Sequence, residues 1–412
     1  MTDSDNNVPK LRFPGFDDAW EQRKLKDIAD FSKGNGYSKS DLVEDGYPVI
    51  LYGRLYTKYE TVIESVDTFA ELKEKSVISK GNEVIVPASG ESAEDIARAS
   101  VVEFAGIILG SDLNIVRTNN ELDPTFLALT ISNGSQQRKM SKRAQGKSVV
   151  HLHNSDLKEI NLLVPKIEEQ KGIRSLFKQL DNLITLHQRK LSDVKKLKSG
   201  LLQKMFPKNG ENIPEIRFLE FTNAWEQRKL KDIADFSKGN GYSKSDLVED
   251  GYPVILYGRL YTKYETVIES VDTFAELKEK SVISKGNEVI VPASGESAED
   301  IARASVVEFA GIILGSDLNI VRTNNELDPT FLALTISNGS QQRKMSKRAQ
   351  GKSVVHLHNS DLKEINLLVP KIEEQKGIRS LFKQLDNLIT LHQRKLEHLQ
   401  QQKKALLQQM FI

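Results

Sequence analysis

The stretch AWEQRKLKDIADFSKGNGYSK, residues 19–39, occurs a second time at residues 224–244. The repeat extends well beyond this stretch. Every residue from Ala19 to Leu191 recurs 205 positions later, from Ala224 to Leu396, which gives 173 identical positions. Solenoid repeats have periods of roughly 20 to 50 residues, whereas this unit has the size of a whole domain. The sequence therefore predicts two copies of one fold in a single chain.

The segments that flank the identical block correspond but have diverged. PKLRFPGFDD at residues 9–18 matches PEIRFLEFTN at residues 214–223, and SDVKKLKSGLLQKMF at residues 192–206 matches EHLQQQKKALLQQMF at residues 397–411. Identity inside a block and divergence at its edges indicate recent recombination or deliberate construction.

Composition limits the possible classes of protein. The 412 residues suffice for two cores and connecting elements. The absence of Cys excludes disulfides and thiolate metal sites and favours a reducing cytoplasm. The first residues, MTDSDNNVPK, do not resemble a signal peptide, and no apolar run approaches the roughly 18 residues of a membrane helix. Because the formal net charge is only +1, any nucleic-acid surface must be a local patch.

Short apolar runs rich in β-forming residues fill each copy from Leu25 to about Pro165. They include YPVILYG, SVISKGNEVIVPAS and LNIVRT, separated by Gly, Asn, Asp or Pro. This pattern predicts an α/β (α+β) domain, a mixed α/β fold built round a strongly bent sheet. The stretch DPTFLALTIS predicts a short helix with Asp123 as N-cap and Pro124 at the first helical position.

After Pro165 the apolar period becomes helical. We predict one helix over Ile167–Met205, about 58 Å long at 1.5 Å per residue, and its copy over Ile372–Met410. Such a narrow apolar stripe requires a partner helix. The seam positions step alternately by three and four and are Ile173, Leu176, Leu180, Leu183, His187, Lys190, Val194, Leu197 and Leu201. His187 and Lys190, with His392 and Lys395 in the copy, either fix the register or snorkel to water, and their polar surroundings favour the second interpretation.

The linker PKNGENIP, residues 207–214, is too short to carry the chain back along such a helix. We therefore expect two long antiparallel, coiled-coil-like helices and a closed, pseudo-two-fold arrangement of the identical domains. The expected boundaries are a first domain at 1–165, a first helix at 166–206, the linker, a second domain at 215–370 and a second helix at 371–412. The expected packing sets Leu176, Leu180, Leu183, Val194, Leu197 and Leu201 against Leu381, Leu385, Leu388, Leu399 and Leu406.

Catalytic motifs are weak in this sequence. No GxxxxGK[ST] is present, and no GxGxxG follows a strand. PASGES, with Ser89, lacks the GxSxG frame of a nucleophile elbow. His151 and His153 in VHLHN lie on one face if the segment is a strand, but no third metal ligand is near in sequence. The chain is interpreted as non-catalytic.

Two stretches are typical of nucleic-acid surfaces. LYGRLYTKYE, residues 51–60, alternates tyrosines with Arg54 and Lys58, and Arg can read guanine O6 and N7 bidentately. The alternative is an amphipathic edge strand with solvated charges. QQRKMSKRAQGKS, residues 136–148, has five basic residues and no acid. It is either a solvated face or a surface that grips DNA phosphates.

The order of these segments resembles a known family. A β-rich domain, KRAQGKS, INLLVPKIEEQKGIRSLF and a long helix ending in LLQKMF follow one another. The chain resembles, over essentially its whole length, the DNA-specificity subunit of type I restriction–modification enzymes. LVPKIEEQ at residues 163–170 and 368–375, and WEQRKLKDIADFSKG, are the most specific parts, and GYPVILYGRLYTKY is also similar to target-recognition domains.

The resemblance implies a non-catalytic subunit with two target-recognition domains on two spacer helices. Its expected partners are double-stranded DNA, two modification subunits that methylate adenine N6 with S-adenosylmethionine, and restriction subunits that use ATP and Mg²⁺, with no cofactor in this chain and a bacterial cytoplasmic location. The lack of any Pro-Pro, and so of an (Asp/Asn)-Pro-Pro-aromatic motif, agrees independently. The predicted DNA-binding residues are Lys39, Tyr52, Arg54, Tyr56, Thr57, Lys58, Tyr59, Arg138, Lys139, Lys142, Arg143, Lys147, Lys244, Tyr257, Arg259, Tyr261, Thr262, Lys263, Tyr264, Arg343, Lys344, Lys347, Arg348 and Lys352.

In one respect the chain departs from the family pattern: its two recognition domains are identical rather than different. Two identical heads related by a two-fold axis predict an interrupted palindrome as the target, with the same short word read on both strands. Two alternatives are a cytosolic scaffold that bridges two copies of a protein partner, and a nuclease or methyltransferase with an unrecognised site. A scaffold would bind DNA with little salt dependence, and such an enzyme would act on DNA without partner subunits.

Overall fold

The computed structural model describes residues 7–90, 92, 96–143, 150–297, 300–347 and 355–411. Within these ranges no helix is both long enough and apolar enough to cross a membrane.

The first copy alternates short strands with short helices before one long helix. Its strands are β1 Glu21–Lys24, β2 Ala29–Lys33, β3 Leu42–Val43, β4 Tyr47–Ile50, β5 Val62–Ile63, β6 Phe69–Ala70, β7 Ile78–Lys80, β8 Glu83–Pro87, β9 Ser89–Gly90, β10 Ser100–Val102, β11 Ala105–Leu109, β12 Leu113–Thr118, β13 Val150–His151 and β14 Asn161–Val164. Its helices are α1 Leu25–Ile28, α2 Arg54–Thr57, α3 Pro124–Ser132, α4 Gly134–Arg143, α5 Asn154–Lys158 and α6 Ile167–Lys204, with a 3₁₀ turn at Lys39–Asp41.

The second copy repeats these elements with nearly the same bounds. Its strands are β15 Glu226–Lys229, β16 Ala234–Lys238, β17 Leu247–Val248, β18 Tyr252–Ile255, β19 Val267–Ile268, β20 Phe274–Ala275, β21 Ile283–Lys285, β22 Glu288–Pro292, β23 Ser294–Gly295, β24 Ser305–Val307, β25 Ala310–Leu314, β26 Leu318–Thr323, β27 Val355–His356 and β28 Asn366–Val369. Its helices are α7 Leu230–Ile233, α8 Arg259–Thr262, α9 Pro329–Ser337, α10 Gly339–Ser346, α11 Asn359–Lys363 and α12 Ile372–Met410, with a 3₁₀ turn at Lys244–Asp246.

Two five-stranded sheets form the body of the first copy, where the sequence predicted one strongly bent sheet. The first sheet has the order β2-β12-β8-β10-β5 and the second has the order β3-β6-β4-β11-β7. Most neighbours are antiparallel, but β5 runs parallel to β10 and β4 runs parallel to β11. The prediction of a strand-rich mixed α/β domain is confirmed. The division of its strands between two sheets depends on long-range pairing, which apolar runs do not reveal.

Strand β8 shows why the apolar runs are continuous. Val84 and Val86 belong to the core that includes α3 and the start of α6, whereas Ile85 belongs to the core between the two sheets. Successive side chains of a strand point to opposite faces. A strand covered on both faces is therefore apolar at every position instead of alternating.

The short helix predicted at residues 123–132 is confirmed. Asp123 lies just before α3, and its side chain accepts hydrogen bonds from the backbone nitrogens of Thr125 and Phe126. Pro124 occupies the first turn, where its missing N–H costs no hydrogen bond. The helix is buried on nearly all sides, and Phe126 contacts Trp20 edge-on with ring centroids 5.6 Å apart.

The chain divides into two compact units, and each unit contains segments from both halves of the sequence. Residues 1–188 and 394–412 form the first unit, and residues 189–393 form the second. Each long helix is therefore divided between the units, whereas the boundaries expected from the sequence kept each helix whole.

In the first unit, the start of α6 packs against the end of α12. Phe177 of α6 lies 6.1 Å, centroid to centroid, from Phe411, and Asp181 forms an ion pair with Lys403. Residue 177 contacts residue 411, just after α12, and residue 181 contacts residue 403. Because the partner's number falls as the number in α6 rises, the two segments are antiparallel. Phe411 also contacts Phe126 at 5.8 Å, so the end of the chain completes the core of the first recognition domain.

In the second unit, the start of α12 packs against the end of α6 in the same way. Phe382 lies 6.4 Å from Phe206, and Asp386 forms an ion pair with Lys198. Phe206 contacts Phe331 at 5.8 Å and Trp225 at 6.0 Å. The antiparallel pairing that chain closure predicted is thus present inside each unit.

The predicted seam is right at its ends and wrong near its middle. Leu180, Leu385 and Leu399 are buried, and Leu176, Val194, Leu201, Leu381 and Leu406 pack against the same cores. Leu183, Leu197 and Leu388, however, are 43%, 52% and 42% exposed. Lys190 and Lys395 are also exposed. A heptad pattern assumes a continuous partner at every seam position, and these exposed side chains show where that assumption fails.

Two buried polar residues of the motif LVPKIEEQ anchor the long helix α6 to the recognition domain. Glu169 is buried and accepts two hydrogen bonds from Arg12, at 2.9 and 2.7 Å. Gln170, fully buried, accepts from the backbone nitrogen of Asp123 at 2.8 Å and donates to the carbonyls of Glu121 and Pro165. These buried polar side chains are satisfied, and they fix α6 to the recognition domain.

Candidate nucleic-acid interface

The segment LYGRLYTKYE forms a turn and the short helix α2, so the edge-strand alternative is wrong. The Gly53 carbonyl accepts from the backbone nitrogens of Tyr56 and Thr57, both at 3.1 Å. Lys58 follows the helix as its C-cap, and its side chain is exposed. Arg54, the first residue of α2, is buried, whereas Tyr52 in the preceding turn is exposed.

Arg54 lies inside the domain and is not placed to read guanine, which corrects its predicted role. Its side chain is only 8% exposed. Its guanidinium donates to Glu60 at 2.7 Å, to Asp67 at 2.8 Å and to the Ser65 carbonyl at 2.8 Å. Arg259 forms the same ion pairs in the second copy. Because bidentate contact with a base would break these bonds, Arg54 supports the shape of α2 instead.

Tyr52 and Tyr56 form an aromatic pair at the surface. Tyr52 is 37% exposed, and its ring centroid lies 6.0 Å from that of the half-buried Tyr56 in an edge-to-face arrangement. The Tyr56 hydroxyl donates to the backbone carbonyl of Ser89. Thr57 is exposed, and its hydroxyl donates to the Gly53 carbonyl at 3.1 Å. The second copy repeats this arrangement at Tyr257, Tyr261 and Thr262.

The end of the segment is divided between surface and core. Lys58 is half exposed, and its ammonium donates to Asp67 at 2.9 Å. Lys263 donates to Asp272 at 2.7 Å in the second copy. The Tyr59 hydroxyl donates to the carbonyl of Ala99 at 3.3 Å, and burial raises the pKa of Tyr59. Tyr59 is thus held by the fold. Lys58 can bind a DNA phosphate only if its ion pair with Asp67 breaks.

The described part of the basic segment, up to Arg143, lies in helix α4 and carries its exposed charges on one face. Arg138, Lys139 and Lys142 are exposed, whereas Gln136 and Met140 are buried. Gln136 donates to the carbonyl of Asn161 at 2.6 Å and fixes the helix to the domain. No carboxylate of the described ranges lies within ion-pair distance of the three exposed cations. Arg343, Lys344 and Lys347 are likewise exposed on and just after α10.

Four of the predicted residues fall outside what the structure describes. Lys147, Arg348 and Lys352 lie outside the described residues, as does the side chain of Arg143. Lys39 and Lys244 are described and exposed, each at the start of a 3₁₀ turn.

A groove in the first unit brings the two predicted stretches together. It has a volume of about 1100 Å³ and is lined by Lys58 and Tyr59 from one stretch, Arg138 from the other, and Lys178 and Lys404 from the helix pair. Lys178 is paired with Glu64 and Glu103, at 3.0 and 2.9 Å, and hydrogen bonds to Glu103 and Glu64 raise its pKa. The sequence did not single out the helix lysines, since a wall made by two helices is visible only after folding. Lys39 is not among the residues that line this groove.

The two remaining motifs, PASGES and VHLHN, meet beside α2. Strands β9 and β13 pair so that Ser89 lies opposite His151, and the Ser89 hydroxyl lies 3.1 Å from His151 Nδ1. The rings of His151 and His153 are parallel, with centroids 6.3 Å apart. Among the residues that the structure describes, no group of three or more His, Cys, Asp or Glu could hold a metal ion.

Comparison with known proteins identifies the kind of fold and family. The sequence model of the type I restriction modification DNA specificity domain matches residues 17–196 and again residues 222–401. Two curated relatives come from Methanocaldococcus jannaschii. The type I restriction enzyme MjaVIII specificity subunit is 21% identical over 411 residues, covering 96% of this chain and 92% of that protein. A putative type I restriction enzyme MjaX specificity subunit is 23% identical over 424 residues, covering 98% and 95%.

Solved structures agree at the level of the fold. The S subunit of a type I restriction–modification system from M. genitalium matches with a TM-score of 0.62 at 16% identity, over 98% of this chain and 99% of that one. A chain from a structure of type I restriction–modification complex assembly matches with a TM-score of 0.50 at 16% identity, over 97% and 98%.

Proposed function

This chain belongs to the type I restriction–modification DNA specificity family, and from that premise we propose that it reads an interrupted palindrome. It is a non-catalytic specificity subunit, and nothing in the matches supports a protein-bridging scaffold. The proposed target is a word of about three to five base pairs, a non-specific gap, and the reverse complement of that word.

One observation carries the proposal. Residues 19–191 and 224–396 are identical, and each compact unit is completed by the helix end that comes from the other half of the chain. Each half of the chain therefore supplies the recognition domain of one unit and a helix end of the other, and this description is unchanged when the two halves are interchanged. Such reciprocity, in which each half gives the other what it receives, is the property of an isologous pair. Identical heads related in that way meet DNA in opposite strand senses, as dimeric repressors do.

The exposed face of α4 is proposed to bind DNA phosphates. Arg138, Lys139 and Lys142 have no described carboxylate within ion-pair distance, and Arg138 lines the groove. Cations of this kind position a protein on the duplex. Lys58 is proposed to join them by exchanging Asp67 for a phosphate. The two heads on one chain act as a bivalent binder, so the second head engages at a high effective concentration.

The partners are also proposed. The palindrome would be methylated at adenine N6 by two modification subunits that bind S-adenosylmethionine, and restriction subunits would supply the ATP- and Mg²⁺-dependent activity. Support comes from the family and from the lack of a Pro-Pro dipeptide in this sequence. The chain alone is expected to bind neither S-adenosylmethionine nor ATP.

Methylome sequencing of cells that express this chain with its modification subunit tests the proposal. The expected result is one methylated motif whose halves are reverse complements. Half-site centres are expected about one helical turn apart, roughly 34–36 Å. A motif with two unlike halves, or a direct repeat, would contradict the palindrome. The absence of any bipartite motif would contradict the recognition function itself.

A further inference from the structure

We infer that the specificity-determining surface of each recognition domain is a row of three exposed side chains: Tyr52, His151 and His153 in the first copy, and Tyr257, His356 and His358 in the second. We call this surface the Tyr–His row. The inference rests on the proposed function, because it assigns the base edges of duplex DNA as the ligand of this row.

The row is continuous through hydrogen bonds and ring packing. Tyr52 packs edge-on against Tyr56, and the Tyr56 hydroxyl donates to the Ser89 carbonyl. The Ser89 hydroxyl then meets His151 Nδ1 at 3.1 Å, and His151 is parallel to His153. The row thus joins segments that are distant in sequence, α2, β9 and β13, into one surface.

The arrangement is the same in both copies. Tyr257 and Tyr261 are 6.0 Å apart, the hydroxyl of Ser294 lies 3.1 Å from His356 Nδ1, and the rings of His356 and His358 lie 6.2 Å apart. Side chains held by a hydrogen bond, as His151 is, or by ring contacts, as Tyr52 and His153 are, lose little freedom when they bind.

The polar tips of the row have hydrogen-bonding capacity to spare. Tyr52, His151 and His153 are exposed. Among the described residues, no partner is found for the Tyr52 hydroxyl or for Nε2 of His151, whereas the His153 side chain accepts from the backbone nitrogen of Asp156 through one ring nitrogen. A phenol hydroxyl donates and accepts, and each imidazole nitrogen does one or the other. These are the groups that can match the donor and acceptor pattern of base edges in the major groove.

The spacing of the two imidazoles fits stacked base pairs. Their centroids are 6.3 Å apart and their planes differ by 2°, whereas two steps of B-DNA span about 6.8 Å at 3.4 Å each. Two parallel rings at this distance can each reach one base pair with one pair between them. A metal site is not supported here, because Nδ1 of His151 already contacts Ser89 and no group of three or more metal-binding side chains is found among the described residues.

The row complements the basic helix in chemistry. The row carries no Lys or Arg, whereas α4 presents Arg138, Lys139 and Lys142. Cations bind phosphates of any sequence, and neutral planar groups with hydrogen-bonding tips discriminate between bases. Since Arg54 is occupied by Glu60 and Asp67, the row supplies the exposed hydrogen-bonding groups next to α2.

The duplication allows a test with an internal control. We would change only the first copy, His151→Ala with His153→Ala, and determine the methylome with the modification subunit. One half of the motif is expected to become degenerate at one or two positions, while the half read by the second copy stays unchanged. If the wild type gives a bipartite motif and the variant leaves both halves intact, the row is not the reading surface, although the proposed function stands. If the wild type gives no bipartite motif, the proposed function fails.

A conservative variant guards against a folding defect. Tyr52→Phe with Tyr257→Phe removes two exposed hydroxyls and leaves the ring pairs intact. The matched control is Tyr47→Phe with Tyr252→Phe, since Tyr47 is 51% exposed at the opposite end of β4. In the assembled complex, fluorescence anisotropy should show the ratio of specific to non-specific affinity falling roughly 2- to 12-fold for each hydroxyl removed, as expected for one lost hydrogen bond. The control should leave the ratio unchanged. An unchanged ratio in Tyr52→Phe with Tyr257→Phe, or an equal fall in the control, would overturn the assignment.

Discussion

Replacing Phe411 with Ala should destabilise the first recognition domain, although Phe411 is the second-last residue of the chain. Its ring is 6% exposed and lies 5.8 Å from Phe126 and 6.1 Å from Phe177. Truncation of a buried Phe to Ala costs about 3–5 kcal/mol. The end of a helix can relax into the space, so we expect a decrease in unfolding free energy of about 3 kcal/mol, at the lower end of that range.

This decrease can be converted into a shift of the urea midpoint. For small proteins the dependence of the unfolding free energy on urea is about 1–3 kcal/mol per molar and grows with size. For a unit of this size we take the upper part of that range, about 2–3 kcal/mol per molar. The midpoint of the first unit should therefore fall by about 1–1.5 M.

The two tryptophans allow each unit to be followed alone. Trp20 lies in the core of the first unit against Phe126, and Trp225 lies in the core of the second against Phe331. With Trp225→Phe as background, fluorescence reports the first unit, and with Trp20→Phe it reports the second. Phe411→Ala should lower the Trp20 midpoint and leave the Trp225 midpoint nearly unchanged. An unchanged Trp20 midpoint, or equal shifts of both, would refute the division of the chain into these units.

Three further predictions concern charge and assembly. Lys142→Ala with Lys347→Ala should weaken binding to all duplexes alike and flatten the slope of log K against log salt by about 0.9 for each phosphate that is no longer neutralised; a changed methylation motif would contradict this. Hydrogen bonds from lysine hold the pKa of Asp41 and Asp246 at about 2. The stability that these carboxylates add is therefore present above pH about 4 and disappears as the pH falls through about 2. The difference in unfolding free energy between the wild type and the variant Asp41→Asn with Asp246→Asn should shrink over that pH range. A difference that stays constant would exclude the linkage. The isolated first half, residues 1–206, should form a dimer in which each copy's tail completes the other's domain, as sedimentation equilibrium can show; a folded monomer would contradict this.

The sequence was sufficient to predict the elements that depend on local pattern. The repeat, the cap at Asp123 and the start of the long helix at Ile167 are all visible in the order of residues. The antiparallel pairing followed from the length of the linker. These features need no knowledge of which distant residues meet.

The candidate site was less predictable because it depends on burial. Arg54 is 6 residues from Glu60 and 13 from Asp67, and an alternation of Tyr and basic residues is equally typical of a solvated surface. Only the fold shows that its guanidinium is enclosed by Glu60 and Asp67. The spacing of His151 and His153 indicates that they share one face of a strand. That this face lies beside Ser89 and Tyr52 is shown only by the pairing of β9 with β13. Exposure and partners are properties of the tertiary structure, and residue type alone does not determine them.

The divergent tails show what the duplication had to preserve. Residues 192–206 complete the second unit and residues 397–411 complete the first, so the two tails perform the same task with different sequences. Where they differ, the side chains are mostly exposed: Leu197, 52% exposed, is replaced by an exposed Gln402. Several of the residues that agree touch the unit that they complete, as Lys198 and Lys403 do with Asp386 and Asp181. Because unconstrained tails would differ at the docking positions as often as elsewhere, the pattern indicates that each tail has been held to the same docking interactions, which is the condition for two identical reading heads.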